Sequence, residues 1–208
     1  MKIVLLVLVS LLIPDSGGKF LEDIPAYQKD SYFKQKVYGE HDWKSFYQLK
    51  DVYAIVDPDN YDLHLLNAAV FFSTNKLREE KKLKMLKFSS ELRDAAVVHT
   101  QQMVDKKFFN HINSKTPKLR MPDERMRMFG AQFKTCAENI DLNNILMPSN
   151  TTYLQLADKL VDAWFRSAPH KKTMLSKQLS HLGCSAVFEA KNKDGARYLK
   201  ATQDFSLE

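Results

Sequence analysis

The sequence predicts an α+β protein, and three observations carry that prediction. Stretches with apolar residues at helical spacing begin at Asp62, at Ser89 or Ser90, and at Thr151 or Thr152. Two alternating segments, His181 to Ala190 and Arg197 to Phe205, close the chain around Lys193-Asp194-Gly195 and read as an antiparallel hairpin. The order is helices first, then strand, helix and hairpin, which packs helices on an antiparallel sheet rather than building a parallel one. At 208 residues and 44% hydrophobic content, one compact domain with a real core is the expectation.

In chain order, Lys2 and the apolar run Ile3 to Ile13, broken only by Ser10, read as an export signal ending in the small residues Ser16-Gly17-Gly18. The run is too short to span a bilayer and suits a signal h-region; an uncleaved anchor is the alternative. No Cys follows it, which excludes lipoprotein attachment there. The expected organisation is a signal peptide over 1–18, an extension over 19–62 and a domain over 63–208. The extension lacks sustained periodicity but is rich in aromatics. It is expected to pack on the domain through Tyr27, Tyr32, Phe33, Trp43, Phe46 and Tyr47, with a partly disordered leader as the alternative.

The helix from Asp62 to Glu80 turns Leu65, Leu66, Ala69, Phe72 and Leu77 to one side. Lys81 to Lys87 reads as a connection. Ser89 or Ser90 caps the next helix, with Leu92, Ala95, Ala96, His99 and Met103 on its buried side. A lone His on such a stripe is more often a satisfied core residue than a ligand. Pro122 starts a short helix that ends at Gly130, and Phe133 to Leu142 reads as a strand. The next helix runs to about Ser167, where Ala168-Pro169 ends it and presents His170. Asn150-Thr151-Thr152 is an acceptor sequon, relevant only in a glycosylating host.

Formal net charge is +6, and removing residues 1–18 leaves it unchanged because Lys2 and Asp15 go together. A basic exported chain favours anionic cell-envelope polymers or lipid head groups. Lys81, Lys82, Lys84 and Lys87 form the densest basic cluster, which reads as a solvated surface. No recognised nucleic-acid-binding motif is present, and no later segment is apolar enough to cross a membrane. Cys136 and Cys184 each fall in a predicted strand, so an oxidising compartment allows either a disulfide or two buried thiols.

The stretch Phe108 to Ile140 organises the expected site. His111 and Glu138 are each bracketed by apolar residues, which places them where core meets cleft, and His170 follows behind Trp164. The three are expected to converge.

A set of motifs then accumulates in order: Asn75-x-x-Arg78, Ala95-x-x-x-His99-x-x-x-Met103, Phe108-Phe109-Asn110-His111, Ala137-Glu138-Asn139-Ile140, Trp164-x-x-Ser167-x-x-His170, Gly183-Cys184 and Gln203-x-Phe205. In this order and spacing the chain resembles the CAP superfamily, or SCP domain, and its bacterial branch most closely, over roughly Leu65 to Phe205. The resemblance implies an α-β-α sandwich with a central antiparallel sheet and a cleft lined by two His and two Glu. His111, Glu138 and His170 match three of the four. Ser167 stands where animal and plant members carry the second Glu. What this implies chemically is a ligand set of His111, His170 and Glu138 for Zn²⁺ or another divalent cation, or else a hydrogen-bonded polar cluster without metal. No catalytic residue is assigned. A non-catalytic module for a lipid, peptide or wall-derived ligand is favoured over a hydrolase acting through a water activated by Glu138, because Ser167 leaves the cleft one carboxylate short. A Ser167–His170 dyad is disfavoured by its position at a helix end, where the Ser is expected to satisfy backbone groups.

Overall fold

The computed structural model describes residues 17–144, 150–193 and 197–208. Nearly all of the expected signal peptide, and Asp194-Gly195 of the expected hairpin turn, lie outside the described residues.

The extension folds as short helical pieces: α1 (Gly18–Glu22), α2 (Pro25–Gln28), α3 (Val37–Glu40) and α4 (Trp43–Phe46), with 3-10 turns at Tyr32–Lys34 and Lys50–Tyr53. Its anchors do go inward. Phe33, Val37, Phe46, Val52 and Val56 belong to the main apolar cluster, and Trp43 and Tyr47 pack on its edge. Tyr32 departs from expectation. It stays 37% exposed, because its hydroxyl donates to Glu40 at the surface and contacts His41.

The long helix α5 (Leu63–Glu80) is capped by Asp62, whose carboxylate accepts from the amides of His64 and Leu65. It is buried on nearly every side through Asn75 because the extension, the sheet and α8 (Tyr153–Arg166) all pack on it. Helix α6 (Ser90–Asp105) is capped by Ser89. α8 starts at a capping box between Thr152 and Gln155. The short α7 (Pro122–Met128) begins with proline as predicted. Pro169 does more than end α8. It lies in the first turn of a separate helix, α9 (Ala168–Met174), which carries His170.

The sheet has the order β1-β3-β4-β2, with β1 (Lys87–Phe88), β2 (Thr135–Asn144), β3 (His181–Phe188) and β4 (Tyr198–Leu207). The expected hairpin is β3–β4, and β2 pairs antiparallel with β4. β1 runs parallel to β3 and comes from the stretch expected to be a connection; two residues are too few to show alternation. Leu182, Cys184, Ala186 and Phe188 turn towards α5 and α8. The alternate residues Gly183 and Val187 face α6 and its neighbours. Helices thus cover both faces.

This topology excludes the Cys136–Cys184 disulfide. Cys136 lies on β2 and Cys184 on β3, and β4 runs between them, pairing Cys136 with Ser206 and Cys184 with Gln203. Two strand spacings, about 9–10 Å, exceed any disulfide Cα separation. Both cysteines are free thiols. Burial pushes the Cys136 thiol up to about 11 and holds that of Cys184 well above its usual range.

Candidate functional site

The site forms where edge strand β2 meets the α6–α7 side of the sheet. Glu138 sits opposite Asp204 on β4, so both carboxyls project from the same face. The Glu138 side chain is 2% exposed and that of His111 47% exposed. His111 Nδ1 lies 2.7 Å from Glu138 Oε1. An ionised carboxylate can only accept, so Nδ1 carries the hydrogen and Nε2 is left free in the neutral ring.

Arg125 takes the other oxygen. Its Nη2 donates to Glu138 Oε2 at 2.5 Å. Its Nη1 donates to the carbonyls of His111, Leu119 and Arg120 at 3.1, 3.0 and 3.1 Å. One buried guanidinium therefore fixes the carboxylate and the loop that carries His111. Burial opposes ionisation of Glu138, but the His111 hydrogen bond, the His99 ring and Arg125 outweigh it and lower its pKa.

Two further groups complete the cluster. His99, on α6, is fully buried, donates from Nε2 to the Asn110 carbonyl at 3.1 Å, and lies 3.9 Å from Glu138 Oε1. Burial lowers its pKa to about 4, against the pull of Glu138, so the ring is neutral. The expected core reading of His99 holds, but it is a core residue touching the site. Asp204 is fully buried. Burial first, then the charge of Glu138, raises its pKa well above the carboxylate range, and neither of its carboxyl oxygens has a hydrogen-bond partner among the described residues.

His111 and Glu138 come together as expected. His170 does not join their contact. The His170 carbonyl accepts from Asn139 Nδ2 at 3.2 Å, and Asn139 also bonds Gln203, on the sheet face opposite to Glu138. α9 thus reaches the edge strand from the other side. The imidazoles of His170 and His111 interact through charge: burial lowers the His170 pKa, and His111 lowers it further. Ser167 lies between α8 and α9. Its amide donates to Trp164 and its carbonyl accepts from Lys171, but its hydroxyl caps neither helix and makes no bond to His170 among the described residues.

The three residues do not fit a three-ligand metal site. Both Glu138 oxygens are committed to protein donors, and no group of three or more His, Cys, Asp or Glu among the described residues is arranged to hold an ion. Glu138 stands instead where a carboxylate orients an imidazole from behind. The exposed side is an open groove of about 620 Å³ whose walls include His111, Pro122, Arg127, Phe133, Lys134 and Glu138.

Arg125 and Asp204 are the site residues that the sequence reading missed. Arg125 looked like one more cation in a basic segment. Asp204 sat in a strand expected to present polar residues on one face. The available signals were an Arg directly before the apolar Met126 of a short helix and an acid in the last buried strand.

The family model described as "Cysteine-rich secretory protein family" (CAP) matches residues 71–205. YkwD, an uncharacterized protein of Bacillus subtilis, is 30% identical over 114 residues, covering 55% of this chain and 39% of YkwD. YlbC, an uncharacterized membrane protein of the same organism, is 26% identical over 110 residues, covering 53% of this chain and 28% of YlbC. The chain thus spans well under half the length of these relatives. Among solved structures, an extracellular SCP-domain protein of Bacillus anthracis superposes with a TM-score of 0.54 at 24% identity, covering 74% of this chain and 45% of that one. An outer surface protein of Borrelia burgdorferi gives 0.53 at 14% identity, covering 74% of this chain and 98% of that one. These likenesses show the shared fold. With the family match spanning α5 to β4, and its relatives bacterial, this chain belongs to the CAP, or cysteine-rich secretory protein, family and to its bacterial branch.

Proposed function

We propose that this is an exported, non-catalytic binding module that recognises its ligand through the exposed His111 edge of the groove. The observation that carries the reading is the double commitment of Glu138. One oxygen holds His111 and the other holds Arg125, so the carboxylate that a hydrolase would use as base is already neutralised and buried. What Glu138 supplies is orientation: it fixes one tautomer of His111 and leaves Nε2 for a ligand. The groove walls are mostly polar, with Asp123, Arg127 and Lys134 lining it together with His111, which favours a peptide or cell-wall-derived fragment over a lipid chain.

Export is supported by the apolar N-terminal run, by the extracellular and surface proteins that share the fold, and by the lack of any described helix long and apolar enough to cross a membrane. The divalent cation expected from the resemblance has no three-ligand set here, because both Glu138 oxygens are committed to protein donors and His170 does not line the groove with His111.

The test compares the full chain with a His111→Ala/His170→Ala variant, on peptide and cell-wall fragments. Binding that falls in the variant, with no turnover by either protein, supports the module. Turnover by the wild type that disappears in the folded variant overturns it in favour of a hydrolase. Metal analysis of protein purified without a His tag tests the cation separately.

A further inference from the structure

The basic cluster from Lys81 to Lys87, which reads as a solvated surface in sequence, wraps a second pocket that the His111 groove does not touch. It holds about 430 Å³ at the end of α5, between the turn after that helix, the stretch Lys177 to Ser180 and the end of β4. Five cationic side chains line it: Arg78, Lys82, Lys84, Lys87 and Lys177. No acidic side chain among the described residues does. The acids nearest in sequence are engaged elsewhere: Glu79 with Lys44, Glu80 with Lys76 and Glu208 with His181. The rest of the wall is largely apolar, with Leu83, Leu179 and Leu207.

Arg78 makes this more than a cluster of surface lysines. It is 2% exposed. Its Nε donates to the Lys84 carbonyl at 3.0 Å, and its Nη1 donates to the carbonyls of Met174 and Ser176 at 2.6 and 3.0 Å. Those bonds hold the two rims of the pocket together but supply no negative charge. No carboxylate pairs with Arg78 among the described residues, and Nη2 takes part in none of these bonds. Burial lowers the pKa of Arg78. A buried guanidinium without a counter-ion is costly unless an anion completes it. A second feature lies on the same rim. Lys82 has φ +58°, a left-handed conformation that glycine adopts without strain, yet a cationic side chain occupies it.

We propose that this pocket binds an organic anion with an apolar body, a carboxylate or phosphate head on an alkyl chain. Arg78 and the lysines receive the head, and the leucines receive the chain. The bidentate geometry of a guanidinium suits either head.

Calorimetric titration of the full chain with decyl phosphate and with decanoate, both below their micellar concentrations, tests this. Inorganic phosphate and decanol serve as head-only and chain-only probes. Saturable binding of one amphiphile per chain is expected, stronger than either half alone and weakened by salt. Whichever head binds more tightly identifies the anion. Lys82→Glu/Lys177→Glu changes exposed residues only and is expected to weaken binding about tenfold or more. Lys82→Gly is expected to raise the melting temperature while lowering affinity, since it removes backbone strain and a ligand contact together. The proposal is overturned if neither anion binds saturably, if decanol binds as well as the anions, or if the charge-reversed protein, folded by circular dichroism, binds as tightly as the wild type.

Discussion

Glu138 has two cationic or hydrogen-donating partners of different kinds: a fully buried Arg125 and a half-exposed His111. Arg125→Met leaves a buried carboxylate with one partner and frees three loop carbonyls. It is expected to cost about 3–5 kcal/mol in urea unfolding. Arg125→Met/Glu138→Gln is expected to recover part of that loss, because no buried charge remains. Equal stability of the two variants would sink the ion-pair account. His99 gives the molecule a pH dependence. Its folded pKa, about 4, lies below its ordinary value of 6.5. The unfolded chain therefore binds the extra proton first as pH falls. The contribution of His99 is complete above about pH 6.5 and is lost towards pH 4, a change of about 3 kcal/mol. His99→Gln keeps a donor for the Asn110 carbonyl and is expected to flatten the acid limb of a stability–pH curve. Asp204 works with the opposite sign. Its raised folded pKa means that stability is lost as pH climbs out of the ordinary carboxyl range. Asp204→Asn, which cannot ionise beside Glu138, is expected to be more stable than the wild type at neutral pH, with the gap closing in acid. At this scale the sequence disclosed His111 and Glu138 because each lies in a short stretch with apolar residues close by, Phe109 and Ile112 for His111 and Ala137 and Ile140 for Glu138. It hid Arg125 and Asp204 because their partners lie on other elements, and a buried Arg is spelled like an exposed one.

Among the elements, the α6–β3 contact sets the position of the site. A Cβ on Gly183 would lie 2.0 Å from the Arg93 backbone nitrogen. A backbone atom cannot step aside as a flexible side chain can, so α6 must move away from the sheet. Gly183→Ala is expected to destabilise by about 3 kcal/mol. Because α6 carries His99, and His99 holds the Asn110 carbonyl next to His111, the variant is also expected to shift the His111 ring resonances in NMR. A folded variant with unchanged His111 resonances would show that helix and site are uncoupled. Most elements were legible from period and caps: Asp62, Ser89 and Thr152 all accept the amides their positions predict. What failed was strand order. Each cysteine was correctly placed in a strand, but only long-range pairing reveals β4 between them, and one-dimensional pattern carries no register. α9 was hidden for a related reason, since Pro169 can end one helix or open the next.

For the whole molecule, the question is whether the extension belongs to the fold. The family match begins at residue 71, inside α5, and excludes it. Its contacts argue for inclusion. Phe33, Val37, Phe46, Val52 and Val56 lie in one cluster with α5, α8 and the sheet. Polar contacts run alongside: Tyr27 donates to Asp94 on α6, Tyr47 to Asp158 on α8, and Trp43 to Glu79 on α5. Each buried aliphatic or aromatic side chain is worth about 2 kcal/mol, against a net stability of about 5–15 kcal/mol for a domain. Removing the extension would also bare the otherwise encircled α5. A chain starting at Asp62 is therefore expected to lose its cooperative thermal transition and to bind a hydrophobic dye, although it keeps every residue of the family match. If that fragment melts cooperatively near the temperature of the full chain, the extension is an appendage. If it does not, the folding unit begins about fifty residues before the family pattern does, because α5 has an apolar residue on too many sides for the sheet and α8 alone to cover.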